Sequence, residues 1–420
     1  MYKKIAMITL AFAYILLSII AASKGGDFDV FLEAATKLNN HQNIYAPPFI
    51  KPDLQYYYSP LFALLLIPFS NIGPAFELFW LLLSGYLLFR IYKCISAYLD
   101  LRVVNNGDNL LLFFISLFFM LRFILYNITM IQVTIFLLWA ILESIELIQK
   151  NKYVIGSLLL AFAINIKLMP IVILPYLIYR KKFNTFLLVL SFSLIYLYLP
   201  AIFIGYDFNN FLLHEWWAVI NPSNKEHLIE AGTKAQSLVG MIPVFLTETT
   251  GQLNISRNII SLNPEKAILI TNVIRATLVI LTVFFLKSPF IKNIDRLSEI
   301  RAIGYICLLT PMIFPHQQIY AFIFLYPICV YLTYYCIVLW RYDWNAKSKM
   351  YVFSLLTLST ILSPIIGSDV IGRRAYDLVH HFRLLGIVVL LLIIYAAISS
   401  PQKVKQIITN QSLQAVPNEE

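Results

Sequence analysis

Apolar runs long enough to cross a bilayer recur along nearly the whole chain, and short clusters of lysine and arginine separate them. Inside hydrocarbon every backbone N–H and C=O must find a partner within the protein, which leaves only helices or a closed barrel. The runs are continuous rather than alternating, so they read as helices. Single spans are expected over residues 5–22, 74–92, 109–125, 129–148, 186–204, 267–286, 302–314, 319–339, 351–366 and 382–398. A chain that is 60% hydrophobic and 13% charged, with a mean hydropathy of +0.75, is not an ordinary soluble domain. Its net charge of +10 would suit a nucleic-acid binder only if it were gathered on one surface. It falls instead in clusters between apolar runs, the distribution of cytoplasmic loops, so no nucleic-acid partner is expected.

Those clusters set the expected topology. Lys3 and Lys4, Arg90/Lys93/Arg102, Lys150/Lys152, Arg180/Lys181/Lys182, Lys287/Lys292/Arg296/Arg301, Arg341/Lys347/Lys349 and Lys403/Lys405 belong on the cytoplasmic side. Loops 23–71, 205–265 and 367–381 are then external, and the two long ones hold the chemistry. Residues 154–179 are apolar yet flanked by basic clusters at both ends. Two half-length helices turning at Asn165–Pro170 satisfy both flanks, because a proline disfavours helix just before it and lacks a donor. The sum is about twelve membrane segments in one domain over 1–400, followed by a loose cytoplasmic tail over 401–420. No small-residue cleavage site precedes a soluble domain, so the first run reads as a retained helix. Cys94, Cys307, Cys329 and Cys336 have spacings of neither a zinc site nor a disulfide framework.

Charges near hydrocarbon single out the candidates, since an ion at the bilayer centre costs on the order of 2.5–3.5 kcal/mol on insertion scales. Asp27 and Asp29, just past the first span, are either a base facing the outer side or an ordinary polar helix cap. Lys167, at the turn of the hairpin, is either an anion clamp or the partner of Glu143 or Glu146. Arg122 and Arg275 lie toward outer span ends, where each either meets a phosphate bidentately or snorkels to the interface. Arg373, Arg374 and Arg383 with His380 and His381 form a further basic cluster, and His316 sits between two prolines and glutamines at an outer turn. Tyr45, Phe49, Tyr56, Tyr57 and Tyr58 crowd the first loop, suiting either an interfacial belt or a stacked sugar.

Several segments together resemble the family 87 glycosyltransferases, multi-spanning enzymes of the GT-C type related to polyprenyl-phosphate-mannose-dependent mannosyltransferases. They are Gly26-Asp27-Phe28-Asp29-Val30-Phe31, Asn43-Ile44-Tyr45, Tyr57-Tyr58-Ser59-Pro60-Leu61, Gln132 after Asn127, Ile166–Pro170, Gln236-Ser237-Leu238, and Pro311 with His316. The resemblance implies an all-α membrane fold whose external loops cap an active site. It implies transfer of a hexose such as mannose from a polyprenyl phosphate to a hydroxyl of a glycan or glycolipid, with inversion, on the outer face of a bacterial inner membrane. Asp27 matches the position of the catalytic aspartate, with Asp29 and His316 sharing the catalytic group. Lys167, Arg275 and Arg122 would meet the donor phosphate, and Tyr57, Tyr58, Gln132 and Gln236 the substrates. No metal and no cofactor are implied. Ile131-Gln132 stands where relatives often carry Gly-Gln, and Phe31 where they carry tyrosine. A lipid-linked-sugar transporter or flippase, and a lipid-diphosphate-dependent polymerase or ligase, are the competing classes.

Overall fold

The structure is a computed structural model that describes residues 2–50, 55–101, 106–221, 229–230, 235–249, 251, 253–286, 294–315 and 317–414. Among these there is no strand. The helices are α1 (Tyr2–Lys24), α2 (Phe28–Asn39), α3 (Pro60–Leu66), α4 (Gly73–Ser96), α5 (Asn106–Thr129), α6 (Thr134–Gln149), α7 (Tyr153–Ile166), α8 (Ile173–Tyr179), α9 (Phe183–Tyr198) and α10 (Ala201–Ile204). There follow α11 (Tyr206–Ile220), α12 (Leu238–Leu246), α13 (Pro264–Leu286), α14 (Arg296–Ile313), α15 (Tyr326–Tyr342), α16 (Ala346–Thr360), α17 (Ser368–Ile371), α18 (Arg373–His381), α19 (Leu384–Ile398) and α20 (Pro401–Gln414).

Seven of these stretches are long and apolar enough to cross a membrane, or eight if the bent pair α18 and α19 counts as one span. The remaining segments of the expected twelve are helical but shorter or more charged. α6 has 16 residues, or about 24 Å at the helical rise, against a hydrocarbon core of about 30 Å. α14 carries Arg296, Glu299 and Arg301. The chain is therefore a polytopic all-α membrane protein. Most side chains of α13 are exposed, Leu269 at 64% and Phe284 at 69%, as expected of a helix facing lipid.

The chain forms two compact units. The first takes in Met1–Cys94 and Leu125–Lys225, the second Ile95–Ile124, Glu226–Pro289 and Asn293–Glu420. In the first, α6, α7 and α9 pack together, with Ser144 and Ser157 fully buried between them. Small residues allow such close helix contact where lipid supplies no hydrophobic drive. The break in residues 154–179 falls where the sequence puts it. α7 stops at Ile166, Lys167 takes extended backbone (φ −149°, ψ 135°), and Pro170 opens a 3-10 turn leading into α8. Asn165 holds the break by donating to the Ala161 and Ser193 carbonyls.

In the second unit α14 and α15 approach so closely that a Cβ on Gly304 would stand 2.9 Å from the Ile328 nitrogen. The buried Arg301 on α14 spends its guanidinium on backbone, donating to the carbonyls of Ala396 at 3.0 Å, Ala397 at 2.8 Å and Phe285 at 3.5 Å. Those at Ala396 and Ala397 belong to the last turn of α19, whose carbonyls have no partner within the helix. Arg301→Ala is expected to lower stability by about 2 kcal/mol, because buried acceptors lose their donors. Thermal unfolding in detergent checks it, and an unchanged midpoint contradicts it. Residues 401–414 are not a loose tail but helix α20, tied down by Lys403 to Asp343 at 2.8 Å and Lys405 to Asp295 at 2.9 Å. The polar composition that suggested a tail is the partner set of those acids.

Candidate active site

Asp27 stands at the start of α2, where an aspartate ordinarily caps its own helix with its side chain. Here it makes no such bond. Its carboxylate instead accepts a 2.6 Å hydrogen bond from Gln132 Nε2. The backbone explains how the two meet. Asp27 N–H donates to the Met130 carbonyl at 3.0 Å. The preceding Gly26 lies so close to that carbonyl that a Cβ would be 2.8 Å from its oxygen, so only glycine fits. The α2 start is thereby pinned to the corner between α5 and α6.

That corner is itself rigid. Gln132 N–H donates to the Asn127 carbonyl at 3.0 Å, and the Thr134 hydroxyl donates to the Asn127 side chain. Trp80 Nε1 donates to the Gln132 carbonyl at 3.2 Å. Ile131, fully buried, has φ +49°, a left-handed conformation that costs a β-branched residue about 1–3 kcal/mol. It precedes Gln132 and so sets the direction in which that side chain leaves the corner toward Asp27. Gln132→Ala is expected to lower stability by about 1–2 kcal/mol, since the half-buried Asp27 carboxylate loses its amide donor. Thermal unfolding in detergent checks it, and an unchanged midpoint contradicts it.

Lys167 is the cation of this region. Its ammonium interacts electrostatically with Asp27 and lies 5.2 Å from the centre of the Tyr58 ring. The alternative partners are taken: Glu143 is bonded by Arg90 at 2.7 Å, and Glu146 by Lys150. Cys94 completes a close trio with those two glutamates, but its carboxylates are the ones engaged by Arg90 and Lys150.

Tyr58 is not an open stacking surface. It is 5% exposed, packed edge-on to Phe31 at 4.5 Å and against Tyr56 and Phe62. Its ring is a floor for Lys167. The Tyr45 hydroxyl donates to the Tyr58 carbonyl at 2.8 Å, and Trp216 Nε1 to the Tyr57 carbonyl at 3.2 Å. Asn43 ties the same loop to Glu215 on α11 at 2.8 Å. Asp29 points back along α2, where its Oδ2 stands 2.7 Å from the place of a Cβ on Gly25. A carboxylate in the first turn also complements the helix dipole, an ordinary role.

The other predicted residues belong to the second unit. Arg122 is 4% exposed and contacts His380 Nε2 at 2.8 Å and the Ile361 carbonyl at 3.3 Å. A guanidinium only donates, so Nε2 accepts and the imidazole proton lies on Nδ1. Nδ1 in turn faces the amide of the fully buried Gln236 at 3.4 Å. Turning that amide oxygen toward Nδ1–H also gives its Oε1 a partner. Arg275 is half-buried and contacts Asn272 at 3.0 Å, within the field of Glu230. His316 lies outside the described residues. Nothing in the sequence singles out Trp80 or Arg257, and His380 and Arg383 stand there only as members of a basic cluster. Trp80 carries no signal beyond an aromatic in a span, whereas Arg383, fully buried, is a charge that sequence alone assigned to a surface.

Among the described residues, a half-buried carboxylate oriented by an amide and faced by one lysine sits on a polytopic helical scaffold. The family model described as glycosyltransferase family 87 matches residues 56–315, more than half of the chain, and the chain belongs to that family. It is thus a membrane glycosyltransferase. The matched stretch includes Tyr57, Tyr58, Arg122, Gln132, Lys167, Gln236 and Arg275 and begins after Asp27 and Asp29. No curated protein matches the chain.

Proposed function

We propose that this glycosyltransferase moves a hexose, mannose foremost, from a polyprenyl-phosphate carrier to a hydroxyl of a glycan or glycolipid. The reaction is a single inverting displacement on the outer face of a bacterial inner membrane. One observation carries the reading: the Asp27 carboxylate is withheld from capping its own helix and is held by Gln132 at 2.6 Å. A forgone cap costs about 1 kcal/mol, a local loss of the kind found where a residue is reserved for function.

In the proposed step the acceptor oxygen attacks the anomeric carbon while Asp27 takes its proton as general base. The bond from that carbon to the phosphate oxygen breaks, and the phosphate leaves with the electron pair. Lys167, within the electrostatic reach of Asp27 and over the Tyr58 ring, is the fixed positive charge assigned to the donor phosphate. Tyr57, half-buried beside the buried Tyr45, Tyr56 and Tyr58, offers the sugar an aromatic face, and Asp29 supports the α2 start.

The test is a purified-protein assay with a panel of lipid-linked and nucleotide-linked monosaccharides. Transfer from a polyprenyl-phosphate hexose, and none from a nucleotide sugar, is the expected result. Transfer only from a nucleotide sugar or a lipid diphosphate contradicts it.

A further inference from the structure

The second unit holds an apolar cavity of about 360 Å³ walled by α5, α15, α16 and α19. That volume lies in the range of ligand pockets, about 300–1,000 Å³. α5, α15 and α16 each belong to a stretch long and apolar enough to cross a membrane. α5 and α15 pass along the cavity in opposite directions. Arg341 meets Asp108 at 2.6 Å, the Cys329 thiol donates to the Ser116 carbonyl at 4.0 Å, and Phe322, just before α15, lies 6.1 Å from Phe123. The cavity follows α5 from Asp108 to Phe119, about 17 Å at the helical rise.

Its two ends differ. Charge among the lining residues is confined to Asp108 and Arg341, at one end. The Thr333 hydroxyl, part of the wall, is spent on the Cys329 carbonyl of its own helix at 2.8 Å. Asp108, with 10% of its side chain exposed, accepts from Nη2 of Arg341, whose side chain stays 42% exposed. A guanidinium has five N–H donors, so this bond orients Arg341 and leaves donors for a further acceptor. The same end carries the marks of a membrane–water boundary. Trp340 lines the cavity, Trp344 packs on it at 4.9 Å, and the Lys349 ammonium stands 5.8 Å from the centre of the Trp344 ring. The segment from α15 into α16 adds Lys347, and its Asp343 is taken by Lys403. Leu111, Trp340 and Leu356 line the cavity and are also exposed, so it opens sideways to the medium around these spans, which is hydrocarbon.

We propose that this cavity holds one acyl chain of an anionic glycerophospholipid, with the phosphate on Arg341 and the second chain outside in the bilayer. An apolar slot open to hydrocarbon admits a chain from the lipid beside it, and a single charged end fixes which way that chain lies. The basic, tryptophan-lined end complements a phosphate, as basic pockets between spans do for anionic headgroups, and arginine can meet two phosphate oxygens at once. The lipid is a resident of the second unit. Asp27 and Lys167 belong to the first, so the site is independent of the sugar donor.

The test uses the full-length protein in phosphatidylcholine nanodiscs with a phosphatidylglycerol that bears a diazirine on one acyl chain. After irradiation, adducts are mapped by mass spectrometry. They are expected on the cavity-lining stretches of α5, α15 and α16. Unlabelled phosphatidylglycerol should compete at least 10-fold better than added phosphatidylcholine, palmitate or a polyprenyl monophosphate. Arg341→Gln should lower capture at least 5-fold. That change leaves Asp108 without its guanidinium, so the double variant Arg341→Gln/Asp108→Asn, which removes both charges, should show the same loss if the single one fails to fold. Labelling of lipid-facing α13 as dense as that of the cavity, equal competition by any of the three other lipids, or unchanged capture in the variants would overturn the proposal.

Discussion

Asp27→Asn is expected to lower sugar transfer about 10²- to 10⁴-fold, the range by which a positioned base accelerates proton removal. The substitution keeps the shape of the side chain and an oxygen able to accept from Gln132 Nε2, so α2 and the Asp27–Met130 backbone bond remain. Donor affinity should change little, and the loss should appear in turnover. Single-turnover kinetics with bound donor separate the two, and near-normal turnover would remove Asp27 from the reaction. Asp29→Asn is the matched comparison. Its carboxylate lies against Gly25 on the first turn of α2, so its loss should cost less than 10-fold if its role is electrostatic support of the helix start.

Lys167→Ala is expected to lower kcat/KM about 10²- to 10³-fold, the cost of removing one fixed positive group from a developing phosphate charge. The distribution of the loss tells what Lys167 does. A phosphate ligand raises the donor Kd when removed, and Lys167→Arg recovers part of the binding. A lysine that merely pairs with Asp27 leaves the donor Kd untouched and acts only through turnover. The floor beneath it supplies a further check: Tyr58→Phe keeps the ring 5.2 Å from the ammonium and should preserve donor binding.

Much of this arrangement is legible in the amino-acid sequence because hydrocarbon leaves so few options. Continuous apolar runs separated by lysines and arginines can only be helices, and the break at Lys167 follows from basic flanks on both sides of 154–179. The number of full crossings is less legible, since α6 and α14 are as apolar in part as their neighbours but too short or too charged to be read by composition. Residues 401–414 read as a tail because ion pairs to Asp343 and Asp295 are long-range facts that local polarity does not encode.

The same division runs through the site. Asp27 is visible as a carboxylate at a membrane boundary, and Gln132 as a polar residue in a corner. Their contact across 105 positions is not visible, nor is the left-handed Ile131 that aims Gln132. Tyr58 reads as a sugar platform from composition, yet its neighbours bury it beneath Lys167. Arg383 reads as one more solvated charge because its burial depends on α12 and the segment at Glu230 folding over α18 and α19, contacts set by tertiary packing alone.

Stereochemistry decides the role given to Asp27. The product formed from a polyprenyl-phosphate hexose of known anomeric configuration should be examined by NMR, together with mass spectrometry of the intact protein after quenching. Inversion at the anomeric carbon, with no sugar attached to the chain, is the result expected of a single displacement assisted by a base. Retention of configuration, or a hexose linked to Asp27, would make that carboxylate a nucleophile and contradict the mechanism.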